Sequence, residues 1–450
     1  MLLIILFSYY IPIDSPLMDN IEYLQVKGLL SIPTIRPYDM NQLLPELDEL
    51  VISEYPFNRI DTRSIADLSR LMTKQNEFST LFHFKTHYDN DTLFYLSLDS
   101  RIGGRIASNF VWGQAIKLRL AKDIDSLGPK PWKEHVQAYL EDGYFGFDDE
   151  KIKVLFGRLN YLLGSGDEYS LLFSPDPQGY DGYFIHIPAK YCEFYTIFSV
   201  LDPEEMRFIS IHRLGLDLGK MTFGFSEAIL FTRDLEPLYL NFFLPYYLEQ
   251  WGLNRDDNII WNLDCTINYK SSIIYGELLI DDYMYEDDPY PSKLGYQVGL
   301  KFLMFDNFFF KFNYSFVDKW VYTHEDEPNT YENHGYPIGP SLGNDFDRIS
   351  CSLKFLSRFG LNPKIVVHYT RKGEGSIFLP YEQEGGDWNP PFPSGVVQKS
   401  LDARLGLDYC LRNSYYLQAD IGRQLVTDVN HQNGNNKTET LFRINVWAVF

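Results

Sequence analysis

Four cysteines in 450 residues are too few and too scattered to frame a fold. Cys192, Cys265, Cys351 and Cys410 form no CxxC pair and no Cys/His cluster, so neither a zinc site nor a dithiol redox motif is readable, and no metal or other cofactor is expected. No window reaches the roughly 18 consecutive apolar residues of a membrane-spanning helix. Basic charge is also short, with 40 Lys and Arg against 61 Asp and Glu and a net charge of −21. Nucleic acid is excluded as a partner, because phosphate binding relies on clustered cations that release counterions. Catalytic signatures are missing too: there is no GxSxG, no HExxH and no glycine-rich phosphate loop followed by Lys and Ser or Thr. A protein without enzymatic activity is expected.

Aromatic residues are what the chain has in excess. Its 33 Tyr, 34 Phe and 7 Trp make 16% of the sequence, yet mean hydropathy is slightly negative. This mixture suits strands that must meet lipid, the headgroup zone and water together.

Residues 1–13 are apolar over a length that fits a signal-peptide core, and because the usual basic residues before it are missing, the expectation is a start site assigned too late or a truncated signal rather than a membrane anchor. Residues 14–88 carry apolar residues at helical spacing. Ser15 caps a first helix with Pro16 in its first turn, Leu17, Ile21 and Leu24 share a face, and Gly28 supplies the stop. A second helix starts near Asp39 with Leu43, Leu47 and Leu50, shortened or kinked by Pro45. A third, from Asp61 or Thr62, aligns Ile65, Leu68 and Met72. A small helical module is expected.

From about Thr92 the period changes to two. Trp261, Leu263, Cys265, Ile267 and Tyr269 take one face, and Asn262, Asp264, Thr266 and Asn268 the other. Phe308–Val317, Arg348–Phe355, Leu401–Tyr409 and Tyr415–Gly422 repeat the pattern, in runs long enough to cross hydrocarbon at a tilt. Cys265 and Cys351 share the apolar phase and Cys410 the polar one, which argues against a disulfide framework. The expectation is an all-β fold over residues 92–450: a closed antiparallel transmembrane β-barrel of about 16–18 strands at roughly 20 residues per strand and turn. Phe442, Ile444, Val446, Ala448 and Phe450 form one face of a last strand ending on an aromatic, as in the assembly signal of outer-membrane barrels. The expected setting is the outer membrane of a Gram-negative cell envelope. The expected partners are its lipid and lipopolysaccharide and the barrel-assembly machinery, engaged by a monomer.

Several short motifs follow one another in a fixed order. They are Ile35-Arg36-Pro37-Tyr38, His212-Arg213, Gly224-Phe225-Ser226-Glu227, Tyr239-Leu240-Asn241, Pro245-Tyr246-Tyr247, Glu249-Gln250, Asp257-Asn258, Tyr275-Gly276-Glu277, Asp281-Asp282 and Lys293-Leu294-Gly295-Tyr296. In that order and spacing the chain resembles the Wzi-type capsule assembly family. It departs from the pattern after Gly157-Arg158, where Leu162-Leu163-Gly164-Ser165-Gly166 replaces a Trp-Gly-Pro-Gly turn. The resemblance implies an outer-membrane barrel with residues 14–88 as a small periplasmic helical module, one that binds or anchors capsular or related surface polysaccharide, and no enzyme. The alternative is a general or cation-preferring diffusion pore.

His212, Arg213, Glu227, Asn241, Glu249, Gln250, Asp257, Asn258, Glu277, Asp281 and Asp282 could be taken for an acid/base constellation. A charged interior network that fills the lumen is the preferred reading. Carbohydrate contact is expected in two long loops, at Trp320, Tyr322 and His324 in one and Tyr381, Trp388 and Phe392 in the other. There an aromatic face can cover a sugar's C–H face while polar groups take its hydroxyls; the aromatic girdle of any barrel would use the same residues.

Overall fold

The computed structural model describes residues 10–11, 15, 17–33, 35–73, 81–88, 95–105, 109–121, 131–133, 135–149, 151–175, 179–241, 243–283, 291–385, 387–411 and 415–449. Pro16, Thr92, Phe450, the Met72 side chain and most of the apolar leader lie outside that set.

Eighteen strands form one antiparallel ring. In chain order they are β1 (Leu81–Tyr88), β2 (Tyr95–Arg105), β3 (Phe110–Ala121), β4 (Val136–Asp148), β5 (Lys153–Leu159), β6 (Tyr180–Pro188), β7 (Cys192–Asp202), β8 (Arg207–Asp217) and β9 (Met221–Thr232). They continue with β10 (Asn258–Tyr269), β11 (Ser272–Asp282), β12 (Lys293–Met304), β13 (Phe308–Val317), β14 (Phe346–Phe355), β15 (Leu361–Lys372), β16 (Gln398–Leu411), β17 (Tyr415–Thr427) and β18 (Lys437–Val449). Each pairs with its neighbours in sequence, and β18 closes onto β1 with Phe442 opposite Tyr88. The count is the upper one the sequence allows.

The pattern of two puts grease outside. Leu214, Leu216, Phe223, Phe225, Leu263, Ile349, Leu405 and Ile421 stay exposed on the outer wall, whereas Asp264, Gln297, Asp402, Asp408 and Asp420 are buried within. In water, exposing that apolar area would cost about 25 cal/mol per Å². In hydrocarbon the cost vanishes, and ring closure leaves no strand edge unpaired. The four cysteines are free, and Cys410 Sγ faces inward, 4.0 Å from Asp67.

Three helices follow the expected stripes: α1 (Met18–Val26), α2 (Met40–Ile52) and α3 (Arg59–Thr73). Gly28 takes φ +70° just past α1, and α2 runs through Pro45. They do not form a body apart from the barrel, and the barrel itself opens at Leu81 rather than Thr92. The stripe of Ile21, Leu24, Leu43, Leu47, Ile65 and Leu68 is buried against inward-facing Ile273, Tyr275, Leu303, Phe309, Tyr416 and Trp447. At that end the wall's inner face is apolar, so the helices are drawn into the mouth as a plug. Charge fixes their position: Glu22 meets Lys301 at 2.8 Å and also Lys311, while Lys354 pairs with both Asp19 and Asp408.

The plug sits at the rim of short turns, such as Lys270–Ser271 between β10 and β11. In barrels of this kind that rim faces the periplasm and the long-loop rim faces outward.

Candidate functional site

Residues 160–175, between β5 and β6, fold down into the lumen. Ile35–Arg36 ladders with Leu162–Leu163, and the Arg36 guanidinium donates to the carbonyls of Gly166 and of Asp167, the latter at 2.8 Å. Glu277 on β11 holds the loop from the wall, accepting from Gly166 N at 2.7 Å, Leu171 N at 2.9 Å and Gln297 Nε2 at 2.8 Å. Asp167 then reaches Lys301 and Lys311. Leu163, Leu171, Leu172 and Phe173 pack against the inward faces of Phe184, Ile197, Ile209, Ile211, Leu230 and Ile260. Between loop, α1 and wall remains a polar cavity of about 310 Å³ lined by Glu168, Lys311, Asn313 and His368.

Above the infolded loop lies a roof made by residues 318–345 and 373–397. Asp345 ties the two together, accepting from Gly375 N at 2.8 Å and from Ser394 Oγ at 2.6 Å. A Cβ on Gly373 would meet that carboxylate at 2.2 Å, which is why the close approach uses glycine. Tyr322 belongs to the interior: its hydroxyl donates to Leu171 O at 2.5 Å and its ring stacks on Tyr331.

The structure separates the six expected sugar contacts. Trp320, Tyr381 and Trp388 come together: Trp320 is buried edge-on to Tyr381 at 5.5 Å, and its Nε1 donates to Trp388 O at 3.0 Å. The Lys319 ammonium lies 4.3 Å over the Trp320 ring and pairs with Glu384 at 2.6 Å. Of the six, only Trp388, 47% exposed, is a large apolar residue open to solvent. The same loop carries Glu382, Gln383, Glu384, Asp387 and Asn389, with Tyr381–Glu384 forming a short helix. Tyr322 is buried and cannot touch a ligand from outside. His324 is half-buried with its Nδ1 accepting from Asp326 N at 3.1 Å, and burial lowers its pKa. Phe392 packs on Phe316, an outward position of β13, and so belongs to the girdle.

The expected interior network divides as well. Arg213 and Asp264 form a fully buried pair inside, Asn258 donates to Asn329 O at 2.9 Å, and Asp281 accepts from Tyr322 N. Asp282 ends β11 opposite Lys293. His212 and Glu227 correct the expectation, because they lie on the outer wall. Successive strand residues point to opposite faces, so His212 and Arg213 cannot both line the lumen. Asp257 is likewise on the outer side, held by Arg233 and by Tyr239 Oη at 2.8 Å. Asn241, Glu249 and Gln250 stand on the segment that covers these groups, α4 (Tyr246–Leu253) and the turn before it. Among the described residues no three His, Cys, Asp or Glu side chains cluster as metal ligands.

A lipid-facing ring of eighteen strands, filled from below and roofed above, is the fold of outer-membrane β-barrel proteins. Among solved structures the chain is similar to Wzi of Escherichia coli, described as an outer-membrane protein involved in group 1 capsule assembly and as a carbohydrate-binding β-barrel. The TM-score is 0.71 at 13% identity, over 97% of this chain and 99% of that one. It is also similar to OccD3 (OpdP) of Pseudomonas aeruginosa, with a TM-score of 0.50 at 8% identity, over 83% of this chain and 90% of that one. No family model matches the chain, and no curated protein matches it in sequence. The fold is thus shared with Wzi along nearly the whole length, as the ordered motifs imply.

Proposed function

We propose that this protein binds surface polysaccharide at its outward loop rim and helps hold it on the cell, without catalysis. The observation that carries this reading is a filled lumen beneath a rim with an exposed aromatic face. Trp320 Nε1 holds the Trp388 carbonyl and the Trp320 ring packs edge-on to Tyr381, in a loop that also carries the carboxylates and amides sugar recognition uses. The carbohydrate binding described for Wzi, which shares the fold, supports it. A net charge of −21 favours a neutral glycan, or an acidic one bridged by divalent cations.

Purified protein in detergent is expected to retain surface glycan from the parent cell, and Trp388→Ala to weaken retention roughly tenfold, as for loss of one stacking ring worth about 1–1.5 kcal/mol. Deleting the gene should release capsule into the medium. Unchanged capsule retention after deletion would defeat the proposal. A diffusion pore draws support from the fold shared with OccD3, but the plug and the infolded loop oppose it.

A further inference from the structure

The segment between β9 and β10 does not rise into the roof. Its turn Pro237–Leu240 and α4 fold back over the outside of β7–β10, onto the wall that faces lipid. Glu227 holds them there. Its carboxylate accepts from Tyr246 N at 2.8 Å and Tyr247 N at 2.9 Å, the first turn of α4. It also takes Trp261 Nε1 at 2.9 Å and lies 3.0 Å from His212 Nε2. Ser210 adds a bond to Tyr239 O at 2.7 Å and shares another with Tyr246 Oη at 2.8 Å. Tyr239 and Tyr246 pack on Phe198, Ile229 and Phe231, outward-facing apolar residues of the wall. The segment therefore covers a polar seam that would otherwise lie bare on the hydrocarbon side.

Its own far side is apolar. Phe243 is 70% exposed, Leu248 64% and Trp251 71%, with Tyr247 beside them. This surface continues into Leu214, Leu216, Phe223, Phe225 and Leu263, the bare wall just below. Glu227 sits roughly 13 Å below the loop end of β9 at ordinary strand rise and tilt. A face that is aromatic, continuous with the lipid-facing wall and set below the rim fits the outer leaflet.

We propose that residues 237–253 form a flap seated in the membrane, clamped to the outside of the barrel by Glu227, with Phe243, Tyr247, Leu248 and Trp251 in contact with lipid acyl chains. The flap is then unavailable to glycan, which confines recognition to the roof.

The test is tryptophan quenching in vesicles of phosphatidylcholine with dibrominated acyl chains, comparing wild type, Trp251→Phe and Trp388→Phe. Bromolipid is expected to quench a component that disappears in Trp251→Phe and persists in Trp388→Phe. Equal quenching in wild type and Trp251→Phe, with the Trp251 emission quenched by aqueous acrylamide instead, would overturn the proposal and put the flap in water. Protection of Trp251 from both quenchers would also overturn it, and would assign the face to a second copy or another protein. Glu227→Ala, if it folds, should move Trp251 from bromine quenching to acrylamide quenching; the comparison of the two phenylalanine variants stands without it.

Discussion

Arg213 and Asp264 are wholly buried inside the barrel, with Arg213 Nη2 donating at 3.0 Å and a second bond beside it, and Ser226 Oγ accepting from Nη1 at 3.1 Å. The guanidinium lies over Gly224, where a Cβ would come within 2.0 Å of Nη2. Losing one partner of such a pair leaves an unmatched buried charge, at a cost of about 3–5 kcal/mol. Asp264→Ala is therefore expected to lower the unfolding free energy in detergent by that amount, read from urea titration of the heat-shifted gel band, and Asp264→Asn by clearly less. Equal stability of Asp264→Ala and wild type would mean that water reaches the pair. At this scale the strand phase was fully legible, and applied strictly it would have placed the motif residues. Glu227 shares phase with Phe223 and Phe225, and His212 with Leu214 and Leu216, so both belong to the greasy wall. What the alternation could not reveal was the flap that makes a carboxylate tolerable there.

Among elements, α1 and the infolded loop are held chiefly by charge. Burial alone would raise the pKa of Asp167, but the ammoniums of Lys301 and Lys311 hold it well below the usual carboxylate range. Asp19 on α1 is likewise lowered by Lys354 and Lys311 against the pull of burial. Because the folded values lie below those of the free side chains, both carboxylates stabilise the docked state at every pH above about 3.9. That contribution fades as pH falls through the lower folded values. Asp167→Asn is expected to be less stable than wild type by about 1.5–3 kcal/mol from pH 7 down to about 5. The gap should close below about pH 4 in thermal unfolding followed by circular dichroism. A gap that widens on acidification would contradict the assignment. The helices themselves could be read from their stripes, since a stripe reports that a face is buried. It does not report against what, and the apolar inner faces of Tyr275, Phe309 and Trp447 come from strands far along the chain. The infolded loop was less legible still: Gly164-Ser165-Gly166 resembles any turn until Glu277, over a hundred residues away, is brought beneath it.

Over the whole molecule the question is what closes the lumen. The plug leaves a cavity of about 1040 Å³ on one side, between α1, α2 and the β6–β10 wall, lined by Lys27, Lys190, Lys220 and Lys270 among others. The helices therefore do not fill that side of the barrel mouth. Directly above that side, Leu171, Leu172 and Phe173 join Ile209, Ile211, Leu230 and Ile260 in one apolar core, with Tyr322 and Tyr331 capping it through bonds to Leu171 O and Leu172 O. A dry core of this kind excludes water and ions in a way that a mixed-charge cavity cannot. Wild-type protein in planar bilayers is thus expected to give no steady current, and removal of residues 15–73 to leave it nearly silent. Replacing residues 162–173 by a short Gly-Ser tether in the same plugless chain should open an ohmic pathway. It should prefer anions, because those deletions remove Glu22 and Asp167 and leave Lys301 and Lys311 facing the water column without these partners. Folding of each variant is checked by its heat-shifted mobility. Steady current on removal of the helices alone would show that the plug, and not the infolded loop, is the seal.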